Sequence, residues 1–523
     1  MNKENFEFGR YMTTYSDSRW ADSEEIKKAY TTTKIDIEDG KCPGAGIPVT
    51  SDGRTVYVDS TDTHTLIFGS TGSKKTRLFG MPLINMFAMA GESFIATDPK
   101  GELFKKTSGL VAANGYNTAV LDFRNLKQSD CWNPLMIPYD LYHHGDREEA
   151  VSMLNDFITA LSEPQRQNSK DRYWVDMACS QAIANLLFFI DTATPYEANI
   201  FSFANFCASK SDAIGVEELS ECVADGSVAS INYKNILANK EAPMTFGSVS
   251  STLTSLLNIF VIKKSLGQVL SKNTFNIRDL GKQKTAIYII VPDEKTTMHF
   301  LVTAFIKQTY ETLIDEAQKH EGNRLPLRLN FVLDEFGNIP KIADMPSMIS
   351  AARSRNMRFF LMAQGMKQLI SKYGEDAHTI KGNCDNWVFL TSREYELLEE
   401  ISNLCGNTFY IGYDGSIETR PLISVSELQR LSKERGEVLI LHGRNYPFVT
   451  ELPDIDEYKF KSYPSLKPPS TYLPEVALFK ADKVIADIKN NVRPLPFSFE
   501  VYGKECFYKD TFNLPEAVNS SGW

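Results

Sequence analysis

The eight cysteines form no C-x-x-C pair, and none falls at a Cys/His spacing suited to zinc. A structural zinc site and a dithiol redox centre are therefore excluded, and isolated cysteines suit a reducing cytosol. Uninterrupted apolar runs are also short. None approaches the roughly 18 residues that a spanning helix needs, so the chain is not expected to cross a membrane by itself. The start, Met1-Asn-Lys-Glu-Asn-Phe-Glu-Phe8, is polar and charged and does not resemble a signal peptide. Positive charge is in deficit: 56 basic residues face 66 acidic ones, for a net charge of -10. No whole-surface attraction for nucleic acid exists, and any DNA contact must be a local basic patch or a pore lining. Internal repeats and low-complexity tracts are absent.

What is present is an ordinary globular composition, 42% hydrophobic and 23% charged, in 523 residues. At about 150 residues per domain, that length implies two to four domains. One stretch organises the rest, His64-Thr-Leu-Ile-Phe-Gly-Ser-Thr-Gly-Ser-Lys-Lys-Thr76. Residues 65–68 read as a buried strand and are followed at once by a small-residue turn. Beyond Thr76, residues Leu78, Phe79, Leu83, Phe87 and Ala90 recur at helical spacing. Strand, Gly-rich turn and helix form the layout of a phosphate-binding loop. Gly69 and Gly72 let the backbone fold around phosphates, with Ser70, Thr71 and Ser73 between and beside them. Lys75 would reach the β/γ-phosphates, and the Thr76 hydroxyl would hold Mg²⁺. One position departs from the G-x-x-x-x-G-K-[ST] pattern: Lys74 stands where the second Gly belongs. The competing reading of the loop alone is a Ser/Gly-rich turn with two solvated lysines.

Downstream residues decide between these readings. Ser93-Phe-Ile-Ala-Thr97 is a second buried strand, ending in Asp98-Pro-Lys-Gly-Glu102. A helix over about 102–113 and a strand at Thr118-Ala-Val-Leu-Asp122 complete a β-α-β-α-β run. Such alternation predicts an α/β fold, a mainly parallel sheet covered by helices on both faces. Ligands bind at the carboxyl ends of such strands, which puts Asp98 and Lys100 near the loop. Further strands are expected at Thr285–Val291, Leu329–Leu333, Phe359–Ala363, Trp387–Leu390 and Val438–Leu441, with a long amphipathic helix over about 296–318. Leu329-Asn-Phe-Val-Leu333 closes on Asp334 and Glu335, as a Walker B strand does. There Asp334 would hold the Mg²⁺ water shell, and Glu335 would polarise the attacking water. Gln364, ending the next strand, can bond a γ-phosphate as a sensor does. Arg353 and Arg355, just before that strand, are candidates for an arginine presented to a neighbouring subunit. Surface salt bridges explain these two nearly as well.

Five segments are expected. Residues 1–62 form an N-terminal lead-in packed on the nucleotide domain, with a short helix at 23–30 and a hairpin at 47–59. Residues 63–145 and 282–446 form the two parts of the nucleotide domain. Residues 146–281 carry helical periodicity and few strand signals, and read as an inserted all-α domain; covering helices of the same sheet are the alternative. Residues 447–523 read as an irregular, Pro-rich tail with a short helix near 474–490.

In combination these residues resemble the coupling proteins of type IV secretion and conjugation, the TraG/TraD-type ATPases. The motifs are Ser18-Arg-Trp-Ala21, Gly69–Thr76, Thr97-Asp-Pro-Lys-Gly-Glu-Leu103, Trp132-Asn-Pro-Leu135, Leu333-Asp-Glu-Phe336, Ala352-Arg-Ser-Arg355, and Gln364 with Tyr373-Gly374 and Asn383. They span roughly residues 15–445 in family order. The resemblance implies a RecA-like P-loop NTPase domain with an inserted all-α domain, ATP and Mg²⁺ as cofactors, and a homo-hexamer. It implies an ATPase that recruits and pumps single-stranded DNA, or a relaxase–DNA complex, into a secretion channel. Channel components and a membrane anchor would be its partners, at the cytoplasmic face of the membrane. By position, Lys75 and Thr76 bind phosphate and Mg²⁺, Asp334 is the Walker B aspartate, Glu335 the catalytic glutamate and Gln364 the sensor. Arg353, with Arg355 second, acts in trans. The alternative is a nucleotide-binding receptor that docks secretion substrates with weak or no hydrolysis. A helicase-type ATPase shares the Walker elements but leaves Asp98–Glu102 and Trp132–Leu135 without a role. Family members usually begin with transmembrane helices. Here a partner anchor or a truncation is expected, and Met1 favours a natural start.

Overall fold

A computed structural model describes residues 17–29, 32–169, 171–240, 242–411, 417–469 and 475–496. By internal contacts the chain divides into two compact units. One comprises Met1–Trp132 with Asn273–Tyr472, and the other Asn133–Lys272 with Leu473–Trp523.

The first unit holds fourteen strands among its described residues. In chain order they are β1 (Thr32–Asp36), β2 (Ile47–Ser51), β3 (Thr55–Asp59), β4 (Thr65–Gly69), β5 (Ser93–Thr97), β6 (Asn117–Asp122) and β7 (Thr285–Ile290). Then follow β8 (Leu329–Leu333), β9 (Met357–Ala363), β10 (Asn386–Thr391), β11 (Asn407–Ile411), β12 (Ile417–Pro421), β13 (Glu437–His442) and β14 (Phe448–Glu451). Nine of them form one sheet in the order β14-β13-β10-β4-β9-β8-β5-β7-β6. Pairing is parallel from β10 to β6, and β13 and β14 add an antiparallel edge. Strands β4, β5, β7, β8 and β9 are buried at every position. Helices cover both faces of such strands, so they read as continuous apolar runs rather than alternating ones.

Strands β8 and β9 insert between β4 and β5, although the chain reaches them more than two hundred residues later. This order makes the carboxyl ends of β4, β9, β8 and β5 neighbours. Helix Met81–Ala90 follows the loop after β4 and ends on Gly91, whose φ of 78° closes the helix in a left-handed cap. Helix Glu102–Ala113 covers the sheet between β5 and β6, and His299–Gln318 buries Leu301, Val302, Phe305, Ile306 and Leu313, as its periodicity implies. The expected hairpin at 47–59 exists as β2 and β3, joined by β1 into a separate three-stranded sheet. Its Ile35, Val49 and Val58 join the apolar cluster that includes Phe79, Phe87 and Phe360. A short helix, Ser23–Lys28, carries an Asp22/Glu25 capping box.

The second unit is helical, with no strand among its described residues. Its longest helices are Arg147–Asn168, Tyr173–Thr192 and Pro243–Ile262, and Asp146, Asn199, Asp212 and Ser227 cap four of its helix starts. The first segment of the unit runs from Asn133 to Lys272, where 146–281 was expected. Helix Met136–His144 already belongs to it, because Tyr139 and His143 bond to carbonyls of Ala193 and Ile190. The expected tail is also not one piece: residues 447–469 stay with the sheet, whereas 475–496 complete the helical unit. Phe479 stacks edge-on against Phe206, with ring centres 5.3 Å apart, and helix Ala481–Lys489 follows it. Two helices here, Tyr173–Thr192 and Met244–Ile262, are long and apolar enough to cross a membrane by length and composition. Asp176, Ser180, Gln181, Asn185 and Asp191 interrupt the first, and Ser, Thr and Asn residues the second, so neither is an unbroken apolar run in the sequence. Of these windows, 67% of the first and 33% of the second are buried within the protein.

At the amino end of β4, His64 is fully buried and neutral. Its Nε2 donates to the Ile349 carbonyl at 2.8 Å, and its Nδ1 accepts the Phe359 N–H at 3.0 Å. Burial pushes its pKa from 6.5 down to about 4. A lowered histidine contributes stability that is complete above pH 6.5 and is lost as pH falls through 4. Unfolding free energy should therefore fall across this window by on the order of 3 kcal/mol more in the native protein than in His64→Gln. Denaturant titrations at pH 7, 5 and 4 check this; parallel pH profiles for the two proteins would refute it.

Candidate phosphate-binding site

The loop after β4 is built by its small residues. A Cβ at Gly69 would stand 2.4 Å from Ser73 Oγ and 3.0 Å from the Lys75 side chain, so only glycine lets the loop close back on its strand. The Ser70 N–H ties the loop to the end of β10 through the Thr391 carbonyl at 3.0 Å, and Ser73 N–H turns back to the Ser70 carbonyl. Gly72 has φ 76° and Lys74 has φ 69°. The left-handed conformation costs a non-glycine residue about 1–2 kcal/mol. Lys74 therefore adopts the conformation that the glycine of the usual pattern would supply. Among the described residues, the N–H groups of Gly72, Lys74 and Lys75 have no carbonyl acceptor. The first turn of the following helix, Thr76–Gly80, is wound as a π-helix. A concavity of free N–H groups at a helix start is an anion cradle.

Lys75 is buried. Its Nζ donates to the Gly69 carbonyl at 2.6 Å and lies 3.7 Å from Glu335 Oε1. Thr76 Oγ1 donates to Asp334 Oδ2 at 2.7 Å, joining the loop to the end of β8. Glu335 has φ 51°, a conformation that turns the chain sharply after Asp334. Its Oε2 accepts from Gln364 Nε2 at 2.9 Å and from Asn338 Nδ2 at 3.0 Å. Gln368 in turn donates to Asn338 Oδ1 at 2.6 Å, which fixes that amide. The Glu335 carboxylate is thus held on one oxygen by two amides, with Lys75 near the other.

Burial governs the remaining two carboxyls. It raises the Asp334 pKa, against the pull of the Thr76 bond. Burial also lifts Asp98, at the end of β5, to about 6, and the neighbouring Asp334 charge adds to the rise although Phe104 N–H donates to Asp98 at 2.8 Å. Two buried carboxyls beside a hydroxyl form a site that a cation would relieve.

Whether these residues suit a magnesium-bound polyphosphate is tested by what is left unpaired. Ser73 Oγ, in the same loop as the N–H groups of Gly72, Lys74 and Lys75, is buried without a partner among the described residues. No cluster of three or more His, Cys, Asp or Glu side chains able to hold a metal exists among the described residues. Mg²⁺ keeps most of its waters and takes few protein ligands. Thr76 and Asp334 would supply the protein side of its shell.

The fold brings together Gly69–Thr76, Asp98, Asp334, Glu335 and Gln364. Lys100 is exposed on the turn after β5. Arg353 and Arg355 lie elsewhere. They precede β9, whereas Gln364 follows it, and a seven-residue strand spans about 23 Å. Arg353 pairs with Asp385 at 3.0 Å, and Arg355 donates to the Asn323 carbonyl at 3.4 Å. Neither belongs to this chain's own loop. Asn338 and Gln368 were not legible as site residues. The Asp-Glu-Phe-Gly-Asn turn hints at Asn338, three residues past Glu335, but nothing local points to Gln368.

Fold and site together define a RecA-like P-loop NTPase domain. Residues 19–432 match the family described as Type IV secretory system Conjugative DNA transfer, and the chain belongs to that family. It is 26% identical over 428 residues to the Conjugal transfer protein TraG of Escherichia coli, covering 75% of this chain and 64% of that protein. It is 23% identical over 415 residues to Protein VirD4 of Rhizobium radiobacter, covering 73% of this chain and 55% of that protein. The chain thus matches about three fifths of the length of these relatives. Solved structures of the plasmid coupling protein TrwB share the fold at 14% identity. The complex with the ATP analogue ADPNP superposes with a TM-score of 0.61, covering 89% of this chain and 98% of TrwB. The complex with ADP and Mg²⁺ gives 0.60, covering 88% and 98%.

A raised carboxyl pKa contributes stability that is complete below the ordinary value of 3.8 and is lost as pH rises through the raised one. Asp334→Asn keeps an acceptor for Glu335 N–H and removes the buried charge. It should therefore stabilise the ligand-free protein at pH 7.5, with the gain shrinking as pH falls toward 4. Unfolding curves at both pH values check this; a destabilised variant at pH 7.5 would contradict it.

Proposed function

We propose that the protein is an ATP-hydrolysing coupling protein that recruits single-stranded DNA, or a relaxase–DNA complex, and drives it into a type IV secretion channel. The observation that carries this reading is the convergence of Lys75, Thr76, Asp334, Glu335 and Gln364 at adjacent strand ends in a member of the conjugative DNA-transfer family. TrwB, which shares the fold, binds ADPNP in one structure and ADP with Mg²⁺ in another. Here the loop N–H groups and Lys75 bind the β/γ-phosphates, and Thr76 and Asp334 hold Mg²⁺. The ion, when bound, neutralises charge on the phosphate oxygens.

Glu335 orients a water and takes its proton. Its geometry suits this role: Gln364 and Asn338 fix one oxygen by hydrogen bonds, leaving the orientation of the carboxylate defined. Gln364, bonded to Glu335, senses the γ-phosphate through the same amide. Arg353 stands before the amino end of β9, away from this chain's own loop; we assign it to a neighbour's site in a ring, a homo-hexamer. The chain acts at the cytoplasmic face of the membrane with channel components and a membrane anchor. Local lysines and stacking aromatics in the ring pore supply the DNA contact that the net charge of -10 does not.

Steady-state ATP hydrolysis with and without single-stranded DNA tests the proposal. Turnover should rise with DNA, lose that stimulation as salt increases, and fall by about 100-fold or more in Lys75→Ala and Glu335→Gln. Tight ATP binding with no turnover, with or without DNA, would overturn the motor in favour of a docking receptor.

A further inference from the structure

The left-handed Lys74 raises a question that the nucleotide chemistry does not answer: what holds a lysine in a glycine's conformation beside a second lysine? Lys74, Lys75 and Arg77 place three cations within four residues. Lys75 has the Gly69 carbonyl and Glu335. The other two share one carboxylate. Lys74 Nζ lies 3.7 Å from Asp454 Oδ2, and Arg77 Nε donates to both Asp454 oxygens at 2.9 Å. Arg77 Nη2 also reaches Asp454 and bonds Asp456 Oδ2 at 2.6 Å. Asp456 extends to Lys106, on the helix after Asp98, at 3.3 Å.

The turn that presents these carboxylates is itself anchored. Glu457 N–H closes it on the Asp454 carbonyl at 2.8 Å, and Leu452 N–H joins it to the Gly436 carbonyl at 3.0 Å. Ile455 and Tyr458 are buried in the apolar cluster that also contains Leu78 and Phe79 of the loop's own helix. Asp454 is therefore a fixed point beside the loop, and the side chain it holds belongs to a residue whose backbone N–H has no carbonyl acceptor among the described residues.

We infer that Asp454 is a positioning residue for nucleotide binding: by holding the Lys74 ammonium it keeps Lys74 in the left-handed conformation that a glycine would adopt freely. This rests on reading residues 69–76 as the nucleotide loop. The carboxylate contacts no phosphate; it acts through Lys74. Arg77 retains Asp456 when Asp454 is lost, so the two functions of the turn separate.

The test is a double-mutant cycle on Mg²⁺·ADP affinity, by calorimetry, with the native protein, Asp454→Asn, Lys74→Gly and the double variant. Removing one negative charge near a polyanion site shifts affinity through space in both backgrounds alike, and the cycle cancels that shift. Asp454→Asn should weaken binding by about five-fold more in the Lys74 background than in the Lys74→Gly background. Asp454→Glu, which keeps the charge, should recover most of the loss, and Asp454→Gln replaces Asp454→Asn in the cycle if that variant misfolds. Equal effects of Asp454→Asn in the two backgrounds, or no effect in either, would overturn the inference while leaving the loop's identity intact. A native protein that binds no Mg²⁺·ADP would instead remove the reading on which the inference rests.

Discussion

A hydrogen bond of 2.7 Å between Thr76 and Asp334 joins two stretches separated by 258 residues, and the rest of the site depends on it. The bond exists because β8 and β9 slot between β4 and β5, so that strands late in the chain end beside the loop that follows an early one. Parallel pairing aligns all four carboxyl ends, and the loops they carry meet without any long excursion. Asp334 is kept dry by the same packing, which raises its pKa and leaves a buried carboxyl that a cation would relieve. Stability and chemistry pull in opposite directions at that residue, the usual condition of a site shaped for a ligand.

Much of this was legible in the sequence, for a physical reason. Strands buried on both faces appear as unbroken apolar runs, so β4, β5, β7, β8 and β9 announced themselves, and the residues at their ends, Gly69–Thr76, Asp98, Asp334–Glu335 and Gln364, followed. Strand order was not legible, because it is decided by pairing between segments far apart. Nor was the true start of the helical unit at Asn133: the helix that opens it, Met136–His144, carries two His and one Pro in nine residues and shows little periodicity. The return of residues 475–496 to that unit rests on Phe479 against Phe206 and on polar contacts such as Lys210 with Asp482 and Arg493 with the Thr192 carbonyl, whose partners nothing local marks.

Lys74 shows where motif reading stops and structure takes over. Lys74 stands where the pattern has glycine, and its backbone takes the left-handed conformation at φ 69°. Its compensation lies in Asp454, beyond the last sheet strand, in a stretch that composition alone marks as irregular tail. A departure from a consensus can thus be matched by a side chain hundreds of residues away. The arginines before β9 make the complementary point: their place at the opposite end of the strand gives them no role in their own site.

The central claim is that Thr76 and Asp334 form a magnesium-dependent half of a nucleotide site. The most direct measurement is the affinity of ADPNP with and without Mg²⁺ for the native protein and for Thr76→Val, which removes the hydroxyl at nearly constant volume. Binding should be at least about ten-fold tighter with Mg²⁺ in the native protein and should depend little on Mg²⁺ in the variant. Native affinity that is the same with and without Mg²⁺ would contradict it.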